Sequence, residues 1–219
     1  MGASAQQLRR VDQIGERKSR DIREKLDAVD LEKQWYLIDQ RQVTLIPYDD
    51  SNYPTLLKHI HDPPPMLFVR GQLQRADTIG LAIVGSRRCS AYGRSQASRF
   101  AMQCAQAGMT IISGGARGID AEAHRSALRA GGRTVAVLGC GQAECYPAEH
   151  KDLYDEIAAG HGAIISELPM DAPPLAENFP ARNRIISGLS IGVLVVEAAV
   201  RSGALITARQ AGIDQRTKT

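Results

Sequence analysis

The stretch Leu81-Ala82-Ile83-Val84-Gly85-Ser86-Arg87-Arg88, taken with Met109-Thr110-Ile111-Ile112-Ser113-Gly114-Gly115-Ala116-Arg117-Gly118-Ile119-Asp120, decides the fold. Two short apolar runs each end in a polar, glycine-bearing turn, and a helical pattern up to Gly108 joins them. That is a βαβ unit, and it puts both turns at the same ends of neighbouring parallel strands. In an open parallel sheet, ligands bind at those ends, where glycines and helix N-termini favour anions. From Leu81 to Ile119 there are five arginines (87, 88, 94, 99 and 117) and no Asp or Glu. The ligand expected here is negatively charged.

Outward from this unit the alternation continues. Strands are predicted at 81–84, 109–112, 134–138, 163–166 and 191–196. Helices are predicted near 93–107, 119–130, 147–159, 180–189 and 203–211. Strands that are nearly continuous Val/Ile/Ala runs between helices indicate a parallel sheet covered on both faces. The fold class is therefore α/β, a Rossmann-like doubly wound and mostly parallel sheet over residues 81–219. Residues 1–40 read as a small helical module with Ser4 as a cap, and 41–80 as a bridging segment that packs on the main domain.

Composition sets the outer limits. The chain has 219 residues, 43% of them hydrophobic and 23% charged, as in an ordinary globular protein. Net charge is +3, and the surplus lies wholly in 81–219, with fifteen basic against twelve acidic residues. Arg outnumbers Lys by 21 to 6, which suits planar contacts to phosphate; an Arg-rich codon usage would give the same ratio, but not the acid-free run. Cys89, Cys104, Cys140 and Cys145 show no metal spacing and read as reduced structural thiols of a cytoplasmic protein. No run approaches membrane-spanning length, so no membrane partner is expected.

The turns that follow the predicted strands carry the chemistry. A GxGxxG fingerprint with a ribose-binding acid is absent, as is GxxxxGK[ST], so neither a dinucleotide cofactor nor P-loop hydrolysis is expected. Phosphate binding is expected at Gly85, Ser86, Arg87, Arg88, Ser113, Gly114, Gly115 and Arg117, with Ser202 and Thr207 as further hydroxyl donors. Asp120 and His124 are four apart and can share a helix face, which suggests a hydrogen bond tying the loop to its helix. Glu167 and Glu197 each end a strand; they suit acid–base work on a sugar or, as favoured, the orientation of Arg182 or Arg184. Pro180 suits a first helical turn and puts Arg182, Asn183 and Arg184 near a dipole-positive terminus. Tyr92, Tyr146 and Phe179 are either core residues or stacking platforms. No catalytic residue, metal ligand or cofactor is assigned.

Many of these segments occur together, in order, in one known family. Gly85-Ser86-Arg87, Ser113 to Asp120 with Ala123-His124, Val137 to Gly141, Tyr146-Pro147, Ser166 to Pro169, Phe179 to Ser190, and Val195 to Ala198 with Ser202 to Ala208 resemble the bacterial DNA-processing protein A (DprA/Smf) family. The resemblance is dense over 81–211 and looser from Tyr53 to Gly71. It implies a non-enzymatic protein that binds and protects single-stranded DNA in natural transformation and loads the RecA recombinase. Carried over by motif, Arg87 and Ser113-Gly114-Gly115 would be the centre of the phosphate site, and Lys151, after Tyr146-Pro147, a further contact. Residues 4–30 are similar to the family's preceding helical module, but Gln13 stands where a glycine would complete a hairpin turn. Beyond Ala211 the family continues into another strand, whereas this chain reads Gly212 to Thr219. The domain is thus expected to be incomplete at that end, which makes the family homodimer doubtful here. Two other readings are a nucleoside-monophosphate phosphoribohydrolase-like enzyme and an inactive truncated remnant.

Overall fold

The computed structural model describes residues 3–198 and Gly203, which fall into two units, residues 1–36 and 37–219. The first unit is helical: α1 (Ala5–Leu8), α2 (Glu16–Asp27) and the start of α3 (Leu31–Gln40). Ser4 caps α1 in a capping box with Gln7, each residue's side chain accepting from the other's backbone N–H. Gln13 adopts a left-handed φ of 64° in the turn before α2, the conformation that a glycine tolerates best.

The second unit holds one seven-stranded sheet in the order β1-β2-β6-β5-β4-β3-β7. Its strands are β1 (Val43–Pro47), β2 (Met66–Gly71), β3 (Gly80–Val84), β4 (Thr110–Ser113), β5 (Thr134–Val137), β6 (Gly162–Ser166) and β7 (Gly192–Val195). The five strands from β6 to β7 are parallel, while β2 runs antiparallel to β6, and β1 to β2. The segment 41–80 thus contributes two edge-side strands. The five main strands lie within two residues of their predicted positions, and the α/β doubly wound class holds.

Period-two alternation explains why both faces are covered. Ala82, Val84, Ile112, Val135, Val137 and Ile165 point to one face, under α7 (Asn178–Gly188) and the 53–60 segment. Ile83, Ile111, Ala136 and Ile164 point to the other, under α4 (Ala91–Gln106), α5 (Ile119–Arg129) and α6 (Lys151–Glu156). On α4 the buried positions Ala97, Ala101 and Ala105 recur every four residues, so small side chains let the helix lie close to its neighbours. β4, β5 and β6 follow β3 on one side and β7 lies on the other, which makes the gap between β3 and β7 the switch point of the sheet. The predicted helix near 147–159 is three short pieces: a 3₁₀ turn at Ala148–His150, α6, and a π-type turn at Ile157–His161. The helix predicted near 203–211 lies outside the described residues apart from Gly203. No helix among the described residues is long and apolar enough to cross a membrane.

His124 does not pair with Asp120 as expected. Its Nδ1 lies 2.7 Å from Thr134 Oγ1, which itself donates to the Ile111 carbonyl at 2.7 Å, so the imidazole must be the donor. The Nε2 lone pair has no partner, and burial holds the imidazole neutral, its pKa lowered to about 3. The folded value lies below the unfolded one, so protonation favours the unfolded chain. The stabilising effect of neutral His124 is complete above about pH 6.5 and declines as the pH falls from there toward 3. Unfolding followed by urea between pH 7.5 and 5 should show a loss of roughly 2 kcal/mol from this group. In His124→Leu that part of the slope should vanish; an unchanged slope would remove His124 as its source.

Candidate nucleic-acid interface

The switch point carries a cleft of about 350 Å³ lined by Gly85, Ser86, Arg87, Ala116, Asp120, Phe179, Arg182 and Asn183, among others. Its walls come from the turn after β3, the loop between β4 and α5, and the first turns of α7.

The loop is held by its carbonyls. Arg182 Nη1 donates to the Gly114 carbonyl at 2.5 Å and also to the Val137 carbonyl. The Gly115 carbonyl accepts from Tyr154 Oη at 2.9 Å and lies 3.0 Å from His150 Nδ1. The Ser86 carbonyl accepts from the Ile119 amide, and the Ser86 amide donates to the Glu197 carbonyl. The amides of Arg87, Gly114, Gly115, Arg117 and Gly118 donate to no other described residue; Gly114 and Gly115 are buried, so the accessible ones belong to Arg87, Arg117 and half-buried Gly118. A row of unengaged N–H groups at the start of a helix is a seat for anionic oxygens. Gly118 makes the turn possible: its φ is +76°, and a Cβ there would meet the Ser86 and Arg87 backbone.

Charge reinforces this seat from below. Arg182 is 4% exposed and has no carboxylate within ion-pair distance among the described residues; its Nε has no partner. Burial pushes the Asp120 carboxyl up and the Arg182 guanidinium down, each partly offset by the other's opposite charge. A guanidinium does not give up its proton in a protein, so the cleft floor keeps a cation that its own side chains compensate only in part. Above it, exposed Arg87 stacks on the Phe179 ring at 4.9 Å, and Arg182 lies 6.0 Å from the same ring. Tyr146 packs on Phe179 at 5.7 Å.

The cleft gathers Gly85, Ser86, Arg87, Asp120, Arg182 and Asn183 as expected, and the structure changes several roles. Ser113 is not a phosphate donor: its buried hydroxyl donates to the Ile83 carbonyl at 2.6 Å and ties β4 to β3. Arg182 is an anchor beneath the loop and not an open wall of the groove. Asn183 is buried and donates to the Gly203 carbonyl at 3.1 Å. Arg184 turns away into a two-pronged pair with Glu167, both contacts at 2.6 Å, which raises its pKa. Glu197 orients neither arginine; it accepts from the Ser90 amide and hydroxyl ahead of α4. Arg117 is exposed and ion-paired with Glu149. Lys151 lies with Arg41 and Arg70 at a separate small pocket, bonded to Asp155 at 2.8 Å. Arg88 is exposed at the rim, its amide on Ser86 Oγ. Ser202 and Thr207 lie outside the described residues. Tyr154 and His150, which hold the Gly115 carbonyl, were missed; no local pattern marks a contact spanning 39 residues.

The family model for DNA recombination-mediator protein A matches residues 44–217. Protein Smf of Escherichia coli strain K12 is 50% identical over 172 residues, which are 78% of this chain and 46% of that protein. The chain spans about half the length of the curated relatives it matches. The structure of DNA processing protein A from Streptococcus pneumoniae superposes with a TM-score of 0.83 at 33% identity, over 98% of this chain and 74% of the other. DNA processing protein A from Helicobacter pylori, whose structure describes a single-stranded DNA binding mode, matches with a TM-score of 0.71 at 32% identity, over 80% of this chain and 78% of the other.

Gly118→Ala should lower stability by at least about 2 kcal/mol, because both φ and the backbone approach forbid a side chain there. Tyr154→Phe removes one of two donors from one carbonyl and should cost about 1 kcal/mol. Urea midpoints at pH 7.5 check both. Equal midpoints for the two variants would show that the loop is not held in this geometry.

Proposed function

The chain belongs to the DNA recombination-mediator protein A family, and we propose that it binds single-stranded DNA along the β3–β7 cleft, without catalysing a reaction on it. The observation that carries this reading is the buried Arg182, with no carboxylate at ion-pair distance among the described residues, below a loop whose Arg117 and Gly118 amides are unengaged and beside the exposed Arg87. Phosphate oxygens satisfy all three at once. Backbone amides and arginines read phosphate without reading sequence, so binding is tolerant of sequence and sensitive to salt. The H. pylori relative, with its single-stranded DNA binding mode, is consistent with a strand as the ligand. Glu197, which a phosphoribohydrolase-like enzyme would need at the sugar, is engaged with Ser90, and that weighs against the enzyme reading.

By the same proposal the bound strand is protected and passed to a RecA-type recombinase during natural transformation. Arg88 and Arg117 supply longer-range attraction at the rim. Lys151 would meet a strand that extends past the loop between β5 and α6.

The test is fluorescence anisotropy with a labelled oligo-dT of ~20 nucleotides at two salt concentrations, on this chain and on Arg87→Ala. The parent should bind more weakly at the higher salt. Arg87→Ala should bind at least about tenfold more weakly at the lower salt, with a log–log salt slope shallower by roughly 0.7. Equal binding by both proteins, or no binding by either, would overturn the assignment.

A further inference from the structure

Outside the cleft, a shallow groove of about 840 Å³ lies on the outer side of α4, where Glu122 of α5 also faces it. Its lining combines the basic and hydroxyl side chains Arg94, Ser95, Ser98 and Arg99 with apolar surface from Ala91 and Met102. Arg94 and Arg99 are exposed, and neither guanidinium makes an ion pair or hydrogen bond with another described residue. The one carboxylate present, Glu122, already accepts from Arg129 at 2.7 Å and from Ser126 at 3.0 Å. Arg129 also reaches Ser98 at 3.2 Å, so a third cation closes the groove from the α5 side. Cations therefore exceed the anions available to neutralise them.

Helical spacing orders this surface. Tyr92, Ser95 and Arg99 are separated by three and four residues, and Arg94, Ser98 and Met102 by four each, so they form two rows along the helix. Tyr92, at the end of the first row nearest the cleft, is 74% exposed. Arg94 and Arg99 stand about 7.5 Å apart along the axis and about 140° apart around it, at 1.5 Å and 100° per residue, so they hold opposite sides of the groove. α4 is the helix that follows Arg87 and Arg88, so its N-terminal end stands at the cleft rim.

We propose that the outer face of α4 is a second track for the same strand, with Arg94 and Arg99 on phosphates and Tyr92 against a base where the strand leaves the cleft. This rests on the reading of the cleft as a single-stranded DNA site. Continuity with the rim, unpaired arginines and an aromatic beside them favour nucleic acid. Serine hydroxyls in the lining argue against an apolar helix of a protein partner.

The test compares oligo-dT of ~4 and ~16 nucleotides, lengths that bracket typical single-strand site sizes. It uses the parent chain, Arg94→Ala/Arg99→Ala and the charge-preserving Arg94→Lys/Arg99→Lys. The alanine pair should leave the short oligonucleotide's affinity unchanged and weaken the long one about tenfold, with a salt slope shallower by about 1.4. The lysine pair should recover most of the loss. If the alanine pair binds the long strand as the parent does, the α4 track is wrong and the cleft assignment stands. Equal weakening at both lengths also overturns the track, because both residues would then act at the cleft. If the parent binds neither length, the cleft reading fails and the track with it. Affinity of the α4 face for poly-glutamate, lost in the alanine pair while DNA binding is unchanged, would assign the face to an acidic protein partner instead.

Discussion

One buried guanidinium organises the rim of this sheet. Arg182 sits in the first turns of α7 and hydrogen-bonds carbonyls from two separate elements, Gly114 after β4 and Val137 at the end of β5. Each bond turns a peptide oxygen into the protein; at Val137 the same peptide's N–H, on Leu138, is taken up by the Ile165 carbonyl of the sheet. An unpaired carbonyl at such depth would cost about 1–3 kcal/mol, so these contacts fix the loop's orientation as well as its position. Tyr154 and His150 do the same for Gly115 from α6 and the turn before it. Helices on opposite faces of the sheet thus clamp one loop between them, and its polarity follows from which atoms they take.

That clamp depends on the sheet being packed on both sides. α7 lies on the face of Val84, Ile112 and Val137, while Tyr154 reaches in from the face of Ala136 and Ile164. The close approach of α4 relies on the alanine stripe at 97, 101 and 105, and on Gly93, where a Cβ would run into the Glu197 carboxylate. The same Glu197 receives the Ser90 amide and hydroxyl, so the turn from β3 into α4 is joined to the end of β7. Bulkier residues at these points would move the β3 turn, and Arg87 with it.

The strands from β3 to β7 could be read from the sequence because each centres on a short run of Val, Ile, Ala or Leu between polar or glycine-bearing turns, a pattern that survives without tertiary knowledge. The glycine loops and Arg87 were legible for the same reason: conformation and charge there are local properties. The tasks of Arg182, Asn183 and Arg184 were not. Consecutive helical residues point about 100° apart, so three adjacent polar side chains serve three different surroundings: the buried loop, the Gly203 carbonyl and Glu167. Their sequence neighbourhood is one; their spatial neighbourhoods are not. The Ser113 hydroxyl looked outward on paper because serine follows a strand, but one residue of pleat turns it toward Ile83. His124 shows the reverse error, since its helical neighbour Asp120 lay at the right spacing while the nearer acceptor belonged to another strand.

The incompletely compensated cation under the loop has a thermodynamic consequence. A buried charge without a partner is costly, and here the cost is carried by two carbonyls and the more distant Asp120. An anion seated on the accessible amides of Arg87, Arg117 and Gly118 would add the missing negative charge without a change of fold. Its binding energy would therefore include relief of that strain, and by linkage any such ligand stabilises the folded chain by RT ln(1 + [L]/Kd). The arrangement couples occupancy of the cleft to the stability of the loop that forms it. A site built with an ion pair at Arg182 would be more stable when empty and would bind anions less well.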